Sequence, residues 1–161
     1  MRRLLLVPAL VLAACAHVEV KPPSGPLEFD LAGRIAARYR DEAFSGLLTW
    51  QHSAAGDEML ISTPMGQGVA RIVREGEAVM VSTSEGQTYS DRDGEALTER
   101  VLGFRLPVAG LADWVRGRPA PALEERGWKV DYQARDEQGR PTRLRVTYPG
   151  LELRLAVSEW K

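Results

Sequence analysis

The chain has 161 residues, 44% hydrophobic and 27% charged, with 21 basic and 22 acidic side chains and a net charge of −1. That length holds one domain with a core of useful size and is too short for two. The balanced charge excludes a surface built to wrap nucleic acid, the aliphatic content excludes a disordered chain, and the single cysteine, Cys15, excludes both an internal disulfide framework and a cysteine-built zinc site.

The N-terminus reads as a sorting signal. Met1-Arg2-Arg3 is a basic start, Leu4 through Ala14 carry no charge, and small residues precede Cys15. No apolar run reaches the roughly 18 to 20 residues of a spanning helix. Leu12-Ala13-Ala14-Cys15 resembles the bacterial lipobox, in which a diacylglycerol is attached to the cysteine thiol and the signal is cut before it. Residues 1–14 are therefore expected to leave as a lipoprotein signal peptide, with Cys15 as the lipid-attachment residue. Removing Arg2 and Arg3 would make the mature chain mildly acidic. One acyl chain holds a protein only marginally, so the several chains of a bacterial lipoprotein are what make a durable anchor. Ala16 stands where an aspartate would favour inner-membrane retention in some bacteria, which points to the outer membrane.

Residues 15–27 carry Pro22, Pro23, Gly25 and Pro26 and read as an extended linker before the body, residues 28–161. From Phe29 to Tyr39 the odd positions are Phe29, Leu31, Gly33, Ile35, Ala37 and Tyr39, while Asp30, Arg34 and Arg38 fall between them, the period of a half-buried strand. The alternation recurs in Phe44-Gly46-Leu48-Trp50, Trp128-Val130-Tyr132, Leu144-Val146-Tyr148 and Leu151-Leu153-Leu155-Val157. Turn signals at Ala55-Gly56-Asp57, Glu75-Gly76-Glu77, Asp136 to Gly139 and Pro149-Gly150 space these strands as an antiparallel meander with one wet face. On this reading Arg34, Arg38 and Arg143 decorate the solvated side.

Two segments break the period of two. Leu97 and Val101 lie one turn apart within Asp93 to Leu102, and Leu111, Trp114 and Val115 share a face within Val108 to Val115, so both stretches are predicted helices. Pro107 can open the second and Gly117 can close it, with Arg118-Pro119-Ala120-Pro121 as an extended connection. One or two short helices cover a large sheet poorly, which leaves room for an apolar concavity.

Catalytic patterns are missing from the sequence. There is no Gly-x-Ser-x-Gly elbow, no His-Glu-x-x-His and no phosphate-binding loop, and Gly66-Gln67-Gly68 lacks the third glycine of a dinucleotide fingerprint. His17 and His52 are the only histidines, so a metal site is not expected, and His52 reads as a structural or edge histidine. No cofactor, no nucleic acid and no enzyme activity are expected.

The ordered stretches Phe29-Asp30-Leu31-Ala32-Gly33-Arg34-Ile35, Ser45-Gly46-Leu47-Leu48-Thr49-Trp50, Ser62-Thr63-Pro64-Met65-Gly66, Leu102 to Val108 running into Leu111 to Gly117, Gly127 to Tyr132 and the late Trp160 are, together with the lipobox, similar to the LolB family of outer-membrane lipoprotein receptors. The resemblance implies a mainly β fold, an unclosed antiparallel barrel of about eleven strands covered by about three short helices. It implies a monomeric, outer-membrane-anchored receptor that accepts acylated lipoprotein cargo from a LolA-like periplasmic carrier and releases it into the inner leaflet of the outer membrane. Phe29, Ile35, Leu48, Trp50, Ile61 and Leu153 are the candidate lining of its acyl-chain cavity. Thr63-Pro64-Met65-Gly66 is a preferred turn pattern with Met65 at its tip, where the family carries a membrane-inserting leucine. The competing reading is a structural lipoprotein, a tethered β-domain in an outer-membrane assembly.

Overall fold

The computed structural model describes residues 23–161, so Cys15, its lipobox and most of the linker lie outside the described residues. The first strand begins at Leu27, and the elements follow as β1 (Leu27–Tyr39), β2 (Glu42–Ser53), β3 (Gly56–Ser62), β4 (Gly68–Glu75), β5 (Ala78–Thr83), β6 (Thr88–Asp91), α1 (Gly94–Leu102), α2 (Val108–Val115), α3 (Pro121–Glu124), β7 (Lys129–Arg135), β8 (Pro141–Tyr148) and β9 (Leu151–Trp160). The nine strands form one sheet in the order β6-β5-β4-β3-β2-β1-β9-β8-β7, and every neighbouring pair is antiparallel.

The sheet is two meanders joined where β9 returns beside β1. Its edges, β6 and β7, do not pair with each other, which leaves the barrel open. The segment between these two edge strands in sequence carries all three helices, so the connection across the opening is itself the plug. Apolar side chains line the inner face: Leu31, Ile72 and Val81 of the sheet and Leu97, Ala112 and Trp114 of the helices are fully buried. A fully buried side chain of Leu size stabilises the fold by about 1.5–3 kcal/mol, so this shared core is what holds helices to sheet.

The architecture is the expected unclosed antiparallel barrel with three short helices, and among the described residues it is built from nine strands where about eleven were expected. Long strands absorb irregularities without splitting: β1 runs for 13 residues through two register shifts, at Leu27/Phe29 against β2 and at Ala32/Gly33 against β9. Gly33 is needed at the second, because a Cβ there would come within 2.3 Å of the Ala156 carbonyl oxygen.

Both predicted helices form, and their ends follow local chemistry. The Asp93 carboxylate accepts the Ala96 N–H at 2.9 Å and Gly103 closes α1 with φ 86°. Helix α2 ends in a Schellman motif, with Gly117 N–H donating to the Trp114 carbonyl at 2.9 Å and Arg118 N–H to that of Asp113 at 2.9 Å. The expected extended connection is shorter than predicted. Pro121 leads the third helix, where its lost N–H costs nothing.

Candidate functional site

Beneath α2 lies a small apolar cavity of about 40 Å³. The sheet contributes Ile35, Leu48, Trp50, Ile61 and Leu153 together with Met59, Leu144, Val146 and Leu155; Leu106, Leu111 and Val115 close it from the helical side. Apart from Arg154 every lining residue is apolar, and the space has room for about one small molecule the size of water. Any acyl chain entering here must push lining side chains or the helical plug outward.

The plug is attached to the sheet by few polar ties. The Tyr132 hydroxyl of β7 donates to the Trp114 carbonyl at 3.0 Å, and burial pushes this phenol above its usual pKa. Arg116 at the end of α2 pairs with Glu28 of β1 and with Asp113 at 2.7 Å. Arg126, itself in the helical segment, pairs with Glu95 of α1, which raises its guanidinium pKa further and ties the plug to itself rather than to the sheet. The Trp114 indole N–H is buried with no hydrogen-bond partner among the described residues. Most of the attachment is therefore apolar contact.

A buried polar knot occupies the end of β1, β2 and β3. Asp57, fully buried, accepts the Trp50 Nε1–H at 2.8 Å and the His52 Nδ1–H at 2.6 Å, and its other oxygen takes the Arg74 Nε–H at 2.6 Å. The ring of Phe29 stacks on His52 with centroids 4.9 Å apart and meets Trp50 and Trp160 edge-on at 5.2 and 5.9 Å. His52 Nε2 faces Glu28 at 4.0 Å, and no hydroxyl or thiol among the described residues is hydrogen-bonded to the imidazole. Each donor fixes a strand rather than activating a nucleophile.

The β3–β4 connection presents Met65. Gly66 N–H donates to the Thr63 carbonyl and Thr63 N–H to that of Gln67, both at 2.8 Å, and Gly66 takes φ 85°. This is a three-residue hairpin loop, a type I turn closed by a left-handed glycine, and it leaves Met65 92% exposed. The same construction recurs at Thr83–Gln87 and Asp136–Arg140, whose tips carry Glu85 and Gln138. Only the Met65 loop is apolar at its tip.

Five of the six residues proposed for the cavity thus gather around one space, whereas Phe29 belongs to the aromatic stack on His52. Met59, Leu106, Leu144 and Val146 were not singled out by sequence, although Leu144 and Val146 lie on an alternating strand and so carried a usable signal. No group of three or more His, Cys, Asp or Glu side chains among the described residues could hold a metal ion, and no helix among them is long and apolar enough to cross a membrane.

An open antiparallel sheet plugged by the helices that join its edges, with an apolar interior and a greasy turn tip, defines the class: an unclosed β-barrel domain with a helical plug. Within it the chain belongs to the outer-membrane lipoprotein LolB family, whose model matches residues 27–160. Similar proteins named outer-membrane lipoprotein LolB come from Thiobacillus denitrificans, 36% identical with 100% of this chain and 98% of the relative covered, and from Azoarcus sp., 34% identical with 96% and 92% covered. A third, from Nitrosomonas europaea, is 36% identical over 83% of this chain and 72% of its own length.

Proposed function

We propose that this protein is an outer-membrane lipoprotein, anchored through Cys15 and facing the periplasm, that receives acylated lipoproteins from a LolA-like soluble carrier and inserts them into the inner leaflet of the outer membrane. Family membership across residues 27–160 supports the receptor role. The observation that carries the mechanism is the apolar space between the sheet and α2. An acyl chain of about sixteen carbons is worth on the order of 12 kcal/mol against water, so handing it from one apolar interior to another removes the barrier to crossing the periplasm. No bond is made or broken. Direction needs only rising affinity from carrier to receptor to bilayer, and the protein acts as a monomer without catalysis.

Met65 serves the last step. A flexible apolar side chain at the tip of a rigid hairpin on a tethered protein is placed to enter the lipid interface. Met65→Glu puts a charge where burial in hydrocarbon is costly, whereas Met65→Leu keeps the apolar tip. In a transfer assay the glutamate variant is expected to keep its melting temperature and strip cargo from the carrier, yet insert little of it into liposomes. Undiminished insertion by Met65→Glu would remove this role from Met65.

A further inference from the structure

The outer face of the sheet carries a cleft of about 490 Å³ immediately beside the Met65 hairpin, with Pro64 in its wall. Its rim is cationic: Arg34 of β1, Arg143 of β8 and Arg154 of β9 line it, over an apolar floor that includes Leu47 and Ala156. Strand register explains the shape. Arg34 and Arg143 both stand opposite Ala156 of β9, so a methyl group separates two guanidinium-bearing side chains whose strands are two apart, about 10 Å.

The charges are not all compensated. Arg154 is paired with Glu152 at 2.7 Å, and neighbouring Arg145 with Asp131 at 3.2 Å and Glu152 at 3.8 Å. Arg34 and Arg143 have no carboxylate partner among the described residues, and both are exposed. Two free guanidinium groups flanking a small residue form a fork suited to an anion with several acceptor oxygens, the geometry in which Arg binds phosphate. The apolar floor suits a ligand that is amphiphilic.

We propose that the cleft between Arg34, Arg143 and Pro64 binds the phosphodiester headgroup of an anionic phospholipid at the membrane surface, and thereby sets the orientation in which Met65 meets the bilayer. This deepens the delivery role proposed for Met65 and rests on it. The contiguity of cleft and tip carries the assignment: Pro64 belongs to both, so a headgroup held by the arginines lies beside the point of insertion. Basic side chains near a lipid surface each add about 1 kcal/mol to binding, so losing two should weaken it by a factor of about ten or more.

The test uses the full lipidated chain in a neutral detergent, titrated calorimetrically with dihexanoyl phosphatidylglycerol, dihexanoyl phosphatidylcholine and inorganic phosphate. The wild type is expected to bind the glycerol lipid at least about tenfold more tightly than the choline lipid. Arg34→Gln with Arg143→Gln should abolish that preference at unchanged melting temperature. Arg38→Gln with Arg92→Gln, which removes the same charge outside the cleft, should retain it. Met65→Glu should also retain it, which separates headgroup binding from tip insertion. Equal binding of both lipids by the wild type, or an unchanged preference in the Arg34/Arg143 variant, overturns the proposal while leaving the Met65 role to its own insertion assay. Inorganic phosphate binding as tightly as the glycerol lipid would make the cleft a free-anion site and overturn it too. So would an Arg34/Arg143 variant that keeps lipid preference but no longer takes cargo from the carrier, since the cleft would then serve an acidic protein surface.

Discussion

Asp57 and Trp114 are opposite cases of buried polar atoms. Asp57 is fully buried and satisfied by Trp50, His52 and Arg74, so removing it strands three donors. Asp57→Ala is expected to cost about 3–5 kcal/mol, read as a drop in unfolding free energy in urea, because breaking a buried ion pair leaves an uncompensated charge. Trp50→Phe takes one donor from Asp57, whereas the Trp114 N–H has no partner among the described residues to lose. Trp114→Phe sheds the same volume without breaking a hydrogen bond. Trp50→Phe should therefore be the more destabilising by about 1 kcal/mol, the worth of a hydrogen bond, and equal losses in denaturant titrations would contradict the assigned contacts. The knot was not legible in the sequence. Trp50, His52, Asp57 and Arg74 come together only through the pairing of β2 with β3 and of β3 with β4, and nothing in their spacing announces it.

At the scale of elements, the alternating strands were readable wherever one face is buried and the other wet, as in β1, β2, β8 and β9. The middle strands gave a weaker signal. In β4 the consecutive Ile72 and Val73 are both fully buried, which erases the period of two. The helices were legible through the spacing of Leu97 with Val101 and of Leu111 with Trp114 and Val115, and Pro107 and Gly117 bound α2 as their chemistry allows, whereas the Asp93 cap of α1 came from the structure. What sequence could not supply was how tightly α2 closes the interior, since that depends on side chains from five strands meeting three from the plug. Tyr132 is the tie that joins α2 to edge strand β7. Burial holds its folded-state pKa above the usual tyrosine value of about 10, so the folded form keeps its proton longer. The stabilisation is complete below about pH 10 and is lost as pH rises through the raised value. Tyr132→Phe should remove that alkaline loss and loosen α2, seen as faster amide exchange in Val108–Val115.

For the whole molecule, the fold separates three tasks. The sheet and the Asp57 knot provide a rigid shell, the helical segment provides a cover held mostly by apolar contact, and the Met65 hairpin provides an exposed apolar tip, the proposed point of membrane contact. The cover is the part able to move, because displacing it breaks few hydrogen bonds. Leu111→Ala enlarges the space beneath it and is expected to cost about 2–5 kcal/mol of stability. The same variant should be raised in melting temperature by a long-chain fatty acid more than the wild type is, because a ligand of the native state stabilises it by RT ln(1 + L/Kd), L being the free ligand concentration, and the enlarged space lowers Kd. A variant destabilised but indifferent to fatty acid would place acyl binding elsewhere.

On the proposed function, acylated cargo passes into this protein's interior. A LolA-like carrier loaded with a triacylated lipoprotein is mixed with a Trp114→Phe, Trp128→Phe, Trp160→Phe form of the Cys15→Ser chain, secreted behind a cleavable signal, in which Trp50 is the one remaining tryptophan, and its emission is followed while the two species are separated. The lipoprotein is expected to leave the carrier and co-purify with this protein, with a shift in tryptophan emission as the acyl chains enter beside Trp50. Cargo that stays on the carrier, with emission and melting temperature unchanged, would contradict it and leave a tethered structural domain.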